Sequence, residues 1–543
     1  VSERAAAALE VRLRAVEPAG PRPLGELVAR LAAAGRLRAA VPPGAADRLV
    51  RGIAYDSRRV GRDGVFVAVP GAHVDGHGFV GAAVAAGAAA LVVEHAVPDA
   101  GPAVQLVVDR SQHALAVVAA WWYGDPGREL GVVGVTGTDG KTTTAGMAAA
   151  VLDAGGVRAG LVSTAEQWIG GLRAGTPAHV TTPEAPELQR ALRAMVAAGD
   201  GAAVVESTSH GLALERVGEI PYDVAVLTNL SHEHLELHGT FEAYRAAKRS
   251  LFERLGRPGG RASKPASLPG GRSWPRGGIV NLDDPSAATF AAATHEANAR
   301  LLTYGTSGAD VTATRIEESV AGLRAEVTTP RGRLELELPL IGRFNVHNAL
   351  ATVALGELLE LDAAAVAGAL GDFRGIRGRM ERVDRGQPFT VVVDYAHTPA
   401  SLATALDVLA PLATGDGGLI AVFGSAGERD TAKRALQGRV AGERCRLVIA
   451  TDEDPRGEDP MAILEQIATG AEAAGRRRGT DLLLIPDREA AIRAAFERAR
   501  PGDVVLLAGK GHETGILYAD HERPWDERAV AERLLDELGR AGA

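Results

Sequence analysis

Lysine is scarce in this chain, and where it is kept points to chemistry. Lysine and arginine together number 59 in 543 residues, yet only five are lysines. Four stand in sharply defined contexts: Lys141 in GVTGTDGKTTT, Lys248 in EAYRAAKRSLF, Lys433 in GERDTAKR and Lys510 in LLAGKGHE. The fifth, Lys264, lies in a Gly/Pro/Ser/Arg stretch and reads as incidental. An amine kept against that arginine bias suits a site needing a compact ammonium, or an amine that can lose its proton; guanidinium supplies neither. Chance placement is the alternative, and it fits Lys141 poorly.

Gly137, Gly140, Lys141 and Thr142 follow an apolar run at 130–135 and precede the helical pattern TTTAGMAAAVLDAG. In a phosphate loop of this kind, glycines let backbone N–H groups approach phosphate oxygens, and the helix N-terminus favours an anion. The lysine bridges the outer phosphates and the threonine hydroxyl can hold magnesium. Strict spacing asks for glycine at 135, where the chain has Val135. A second cluster follows. Glu206 ends an apolar strand in AAVVESTSH, with His210 in the same turn. His232, Glu233, His234, Glu236 and His238 crowd SHEHLELHG, and Lys248 comes soon after on a predicted helix. The cluster has no cysteine and no HExxH, which argues against zinc. Oxygen ligands beside phosphates point to magnesium. For any single histidine, a solvated surface position is the alternative.

These residues need elements to hold them. The first ~125 residues alternate short strands and Ala-rich helices, and 121–129 (WWYGDPGRE) carries the Gly and Pro of a boundary. The pattern to about 375 is strand, helix, strand, interrupted at 256–277 by the composition of a flexible surface loop. A second boundary falls near 375–383. Beyond it an apolar strand, a polar loop and usually a helix recur in TVVVDYAHTP, LIAVFGSAGERD, RLVIATDEDPRGEDP, LLLIPDREA and VVLLAGKGHE. Such repeats predict a parallel sheet covered on both faces, with ligands beyond the carboxyl ends of its strands. The expected fold class is α/β with three domains: 1–128, 129–376 and 377–543.

Hydrophobic content of 46% with 23% charged residues is ordinary for a soluble globular protein. Net charge of −9 argues against a general nucleic-acid binder. The single cysteine, Cys445, excludes an internal disulfide framework, fits a reducing cytoplasm, and reads as core. No signal pattern opens the chain, and its longest weakly apolar stretch, 79–93, is too short for a membrane span. The expectation is a cytoplasmic protein without a membrane or nucleic-acid partner, and a monomer.

TGTDGKTTT, TTPE at 181–184, ESTSH at 206–210, TNLSHEHLELHGT at 228–240, the YRAAKRSLF lysine, GRFNVHNALA at 342–351, GRMERV at 378–383 and VDYAHTP at 393–399 resemble the Mur ligases in that order. With DSRRVGRDGVFVAVPG at 56–71, FGSAGERD, DPRGEDP and AGKGHE, the chain looks like their tripeptide-synthetase branch, from about residue 50 to 528. The resemblance implies an N-terminal domain for the UDP-linked substrate, a central P-loop ATPase domain, and a Rossmann-like, doubly wound C-terminal domain for the incoming amino acid. It implies ATP and two magnesium ions, the metals held by Thr142, Glu206, His234 and Lys248, with Lys248 carried as a carbamate. Catalysis would fall to Lys141, Glu206, His234 and Lys248. Nucleotide contacts would be Gly137, Thr138, Asp139, Gly140, Lys141, Thr142, Thr143, Asn348, Arg379 and Asp394. The UDP-N-acetylmuramoyl-dipeptide would meet Ser57, His73, Thr181, Thr182, Thr208 and Arg216. A diamino acid would meet Arg429, Glu453, Asp454, Pro455, Arg456, Gly509 and Glu513.

The chain departs from the family pattern in places. Asp139 stands where Asn is usual, Leu214 where Gln is expected, EHLELHG replaces DHLDYHG, and FGSAGERD replaces FGCGGDRD. Diaminopimelate-adding members carry Asp-Asn-Pro-Arg where this chain has Glu453-Asp454-Pro455-Arg456. Arg456 could pair with a distal carboxylate, favouring diaminopimelate; the extra acid at 454 would suit the bare ammonium of lysine or ornithine. Rival readings are another amide ligase on the same ATPase core, such as folylpolyglutamate synthase or the next Mur enzyme, and a nucleotide-binding paralogue without turnover.

Overall fold

The computed structural model describes residues 3–71, 74–98, 100–176, 181–231, 235–256, 264, 267–319 and 321–541, with backbone alone at 3, 235, 236, 256, 540 and 541. The chain forms two compact units. The first comprises 1–313, 327–334 and 347–370; the second comprises 314–326, 335–346 and 371–543. Among the described residues no helix is long and apolar enough to cross a membrane.

The first unit opens with a four-stranded parallel sheet, Gly52–Ala54, Gly64–Val67, Ala90–Val93 and Val104–Val107 in that order. The helix Ser111–Tyr123 buries Leu115, Val118 and Trp121 beside it. The next sheet places Gly131–Thr136 between Ala202–Glu206 and Val224–Leu227, all parallel. Ala159–Val162 extends it on one side, with Gly277–Asn281 and Arg300–Gly305 on the other. Val132, Val133, Val135, Val204 and Val205 are fully buried, as expected of strands covered on both faces. Because these strands run parallel, the loops after Thr136, Glu206 and Leu227 leave the sheet side by side. That shared exit builds the site.

The expectation for 256–277 needs correction in its described part. Leu268 and Trp274 are core residues at 2% and 3% exposure. Trp274 lies over Gly131, where even a Cβ would stand 1.9 Å from the indole. Lys264 is not incidental either: its Nζ donates to Asp223 Oδ2 at 2.5 Å and Pro221 O at 2.9 Å. Isolated anchors in a Gly/Pro-rich segment produce no periodicity, so composition alone could not reveal them.

In the second unit the sheet order is Glu381–Val383, Thr390–Asp394, Val504–Ala508, Leu419–Phe423, Leu447–Ala450 and Leu482–Leu484. The first strand is antiparallel to its neighbour and the other five are parallel. All five polar loops expected at strand ends are there. The covering helices Ala432–Arg444 and Pro460–Ala473 approach closely at glycines: a Cβ on Gly470 would stand 1.7 Å from Ala435 O. Cys445 is buried, and burial pushes its thiol up to about 12. Strands that went unforeseen include Glu166–Ile169 and Leu172–Gly175 in the first unit, and Val311–Ser319, Gly322–Thr329 and Gly332–Leu338, whose residues are divided between the two units.

Candidate active site

The loop between the Gly131–Thr136 strand and the Lys141–Ala154 helix is held from several sides. Gly140 has φ 77°, and a Cβ there would stand 2.3 Å from Asn348 Oδ1. At Gly137 a Cβ would collide with the Thr228 hydroxyl at 1.8 Å. Glycine is therefore required at both positions by close approach. Asn348 Oδ1 accepts from Thr144 Oγ1 at 3.1 Å, which seats Asn348 beside the loop. Thr228 Oγ1 donates to Asp139 O at 2.6 Å, and Asp139 N donates to Asn229 Oδ1 at 2.9 Å. Thr143 lies in the first helical turn.

The two lysines singled out by their rarity reach the same loop. Lys141 Nζ donates to Thr138 O at 2.5 Å, and Lys248 Nζ donates to Gly137 O at 2.6 Å. Lys248 is 1% exposed and lies 4.6 Å from the Tyr244 ring centre, and Tyr244 OH pairs with Thr138 Oγ1 at 2.8 Å. Glu206, also 1% exposed, accepts from Thr142 Oγ1 at 3.0 Å through Oε1. Its Oε2 takes Thr164 N at 2.8 Å and Thr164 Oγ1 at 3.0 Å. The network continues outward: Thr164 Oγ1, its own proton on Glu206, pairs with the Thr181 hydroxyl at 2.9 Å, Thr182 Oγ1 donates to Glu206 O at 2.9 Å, and Thr182 and Thr208 hydroxyls pair at 3.0 Å. Arg216 donates to Thr182 O at 2.9 Å and pairs with Glu184 at 2.7 Å.

Lys141, Thr142, Glu206, Lys248, Asn348, Thr181, Thr182, Thr208 and Arg216 are thus brought into one connected group. A carboxylate and a threonine hydroxyl are hard oxygen donors, which fits magnesium. Among the described residues no group of three His, Cys, Asp or Glu side chains assembles. His73, His232, Glu233 and His234 lie outside the described residues, and at Glu236 the backbone alone is described. The His210 and His238 rings meet edge-on at 5.8 Å, and Leu214 follows the Ser209–Ala213 helix. Ser57 sits apart, in the short helix Ser57–Arg59 by the four-stranded sheet. Thr164, Thr228, Asn229 and Tyr244 were missed; TNL at 228–230 and the strand-end hydroxyl at 164 were the only signals.

The second unit gathers another group at the carboxyl ends of its strands. Asp394 accepts from Met380 N and Ala396 N, each at 2.8 Å, and its burial raises its pKa against the pull of Arg379. The Arg379 guanidinium lies 4.8 Å from the Tyr395 ring centre. Lys510, 1% exposed, pairs with Asp454 Oδ1 at 2.8 Å and Glu513 Oε2 at 2.6 Å. Asp454 Oδ1 also accepts from Leu517 N at 3.0 Å, and its backbone O from Gly427 N at 2.8 Å. Arg456 takes φ 54° and donates its N–H to Leu517 O at 2.9 Å. Pro455 O faces Gly427, where a Cβ would stand 2.0 Å away. Burial raises the Glu453 pKa, partly offset by Lys433 and His397, and its Oε2 has no hydrogen-bond partner among the described residues. Gly509, at φ 98°, faces that carboxylate. Lys433 Nζ donates to His397 O at 3.1 Å, and Arg429 is exposed in the loop after Leu419–Phe423.

Three family profiles match in tandem: "Mur ligase family, catalytic domain" at 49–123, "Mur ligase middle domain" at 135–356 and "Mur ligase, glutamate ligase domain" at 378–511. The chain belongs to the Mur ligase family. It has the three-domain α/β Mur ligase architecture. It is 48% identical over 501 residues to the UDP-N-acetylmuramyl-tripeptide synthetase of Roseiflexus sp. (strain RS-1), covering 91% of this chain and 96% of the relative. It is 39% identical over 517 residues to the UDP-N-acetylmuramoyl-L-alanyl-D-glutamate–2,6-diaminopimelate ligase of Solibacter usitatus, covering 95% of this chain and 99% of that one. A solved UDP-N-acetylmuramoyl-L-alanyl-D-glutamate–2,6-diaminopimelate ligase superposes with TM-score 0.62 at 29% identity, over 92% of this chain and 98% of that one.

Proposed function

We propose that this Mur ligase is an ATP-dependent acid–amino-acid ligase of peptidoglycan synthesis. It adds a diamino acid, meso-diaminopimelate in preference to L-lysine or L-ornithine, to UDP-N-acetylmuramoyl-L-alanyl-D-glutamate, working as a cytoplasmic monomer. The supporting observation is the convergence of Lys141, Lys248, Thr142 and Glu206 on one glycine loop, in a chain with relatives named for this reaction. The three domains are proposed at 1–128, 129–376 and 377–543.

In the reaction we propose, the D-glutamate side-chain carboxylate attacks the ATP γ-phosphorus, giving an acyl phosphate and ADP. The amine of the diamino acid then attacks the acyl carbon, and phosphate leaves from the tetrahedral intermediate. Lys141 and the loop N–H groups offset charge on the transferring phosphoryl group. Thr142 and Glu206, with His234 and a carbamate on Lys248, would hold magnesium, which would supply positive charge beside the phosphates. A carbamate forms when a neutral amine attacks CO2, which arginine cannot do. Thr181, Thr182, Thr208 and Arg216, with Ser57 and His73, bind the UDP-linked substrate, while Asn348, Arg379 and Asp394 serve the nucleotide.

Arg429, Glu453, Asp454, Pro455, Arg456, Gly509 and Glu513 receive the amino acid. Diaminopimelate is favoured because Lys510 meets the extra acid at 454 from within the protein, leaving Arg456 to attract a distal carboxylate. The test is ADP release by the purified chain. It should require both the UDP-linked dipeptide and a diamino acid, and be fastest with diaminopimelate. Release independent of either partner would refute the reading.

A further inference from the structure

Three loops of the second unit meet at a single side chain. Tyr395 follows the Thr390–Asp394 strand, and its ring is flanked by His397 at 4.7 Å and His512 at 5.0 Å between centres. The face of that ring carries the Arg379 guanidinium at 4.8 Å, and its hydroxyl donates to Glu513 Oε1 at 3.3 Å. Lys510 holds the other oxygen, Oε2, at 2.6 Å, so both oxygens of Glu513 are fixed. Arg379 Nε is buried without a hydrogen-bond partner among the described residues, so the ring holds a guanidinium that retains capacity for a ligand.

The backbone is equally close. A Cβ on Gly378 would stand 2.2 Å from the Gly511 carbonyl carbon, and one on Gly511 would stand 2.8 Å from Tyr395 Cβ. Gly378 and Gly511 have φ of 68° and 48°. Asp394 ties this contact to the strand end by accepting from both Met380 N and Ala396 N. A shift of the Glu513 loop therefore cannot leave the Arg379 loop where it was, since close-packed groups transmit displacement.

We propose that Tyr395 is a positioning residue that couples the two substrates: its hydroxyl aims Glu513 at the amino acid, and its ring face aims Arg379 at the nucleotide. This rests on the roles given above to Glu513 and Arg379. Burial and the adjacent Glu513 carboxylate both raise the hydroxyl's pKa, so it remains a donor at neutral pH.

The experiment measures kcat and both KM values for the full chain and for Tyr395→Phe, Tyr395→Leu and Glu513→Gln, with thermal melts alongside. Tyr395→Phe keeps the ring and loses a hydrogen bond to a charged group, so the amino-acid KM should rise about tenfold while kcat and the ATP KM stay within about twofold. Tyr395→Leu also loses the cation–π contact, and kcat should fall a further tenfold, roughly. The proposal is overturned if Tyr395→Phe moves kcat and the ATP KM as much as the amino-acid KM, or if Tyr395→Leu is no worse than Tyr395→Phe. Should Tyr395→Leu melt early, the pair Tyr395→Phe and Glu513→Gln decides: non-additive effects on the amino-acid KM support the coupling, and additive ones overturn it. Wild-type ADP release that needs no amino acid removes the functional reading and this inference with it. Amino-acid-dependent release with failing variants removes this inference alone.

Discussion

The two loop clusters carry charge in opposite ways. Around the glycine loop, Lys141 donates to a neutral carbonyl, and Glu206 accepts from hydroxyls and an amide. In the second unit, charge meets charge: Lys510 with Asp454 and Glu513, Arg488 with Glu527, Arg434 with Glu458. Neutral dipoles hold an ion while leaving its field available to a ligand, whereas an opposite charge cancels it. The first arrangement suits a polyanionic nucleotide and its cation. In the reaction proposed above, the second would set selectivity through charge left without an ion partner among the described residues, such as Arg456.

The comparison can be broken where it is strongest. Lys248→Ala should reduce ligation by about a thousandfold or more, the scale of losing a central phosphoryl-transfer group. A short-chain carboxylic acid should restore part of it if it takes the place of the proposed carbamate; full activity in the variant would end that role. Lys141→Ala should lower ATP turnover by about a hundredfold or more with an unchanged melting curve, because among the described residues its amine contacts one carbonyl.

The internally cancelled region should respond in stability. Arg434 is fully buried and pairs with the partly exposed Glu458, while Gln466 and Ala426 O also accept from it, so Glu458→Gln should cost about 2 kcal/mol in urea unfolding at pH 7. Arg434, and then Glu428 N, hold the Glu458 carboxyl down at about 2, below its ordinary 4.5. The pair's stabilisation is therefore complete above about pH 4.5 and lost as pH falls through about 2. The variant's deficit should shrink over that window; a deficit independent of pH would place the cost elsewhere. The smallest effect is expected from Asp454→Asn. With Lys510 already meeting that acid, the order of preference among diaminopimelate, lysine and ornithine should stay the same. A reversal would show that Asp454 reads the substrate's ammonium directly.

Sequence made the first region readable because its chemistry is local. Gly137 to Thr142 is one continuous loop, Glu206 sits where an apolar run stops, and Lys248 stands out by rarity. The second region resisted because its contacts span the chain. Arg488 finds Glu527, and Tyr395 joins Arg379 to Glu513, through loops that only the sheet order brings together. Trp274 and Lys264 were hidden for a different reason: a Gly/Pro-rich segment with single anchors shows no period, although Gly131 is the vacancy that Trp274 fills.

Binding of a non-hydrolysable ATP analogue with Mn2+ in place of Mg2+, followed by paramagnetic resonance, tests the shared nucleotide site most directly. Wild-type protein should hold metal and analogue together, Glu206→Gln should lose the bound-metal signal, and Lys141→Ala should lose the analogue. Bound-metal and analogue titrations unchanged by both substitutions would contradict the account.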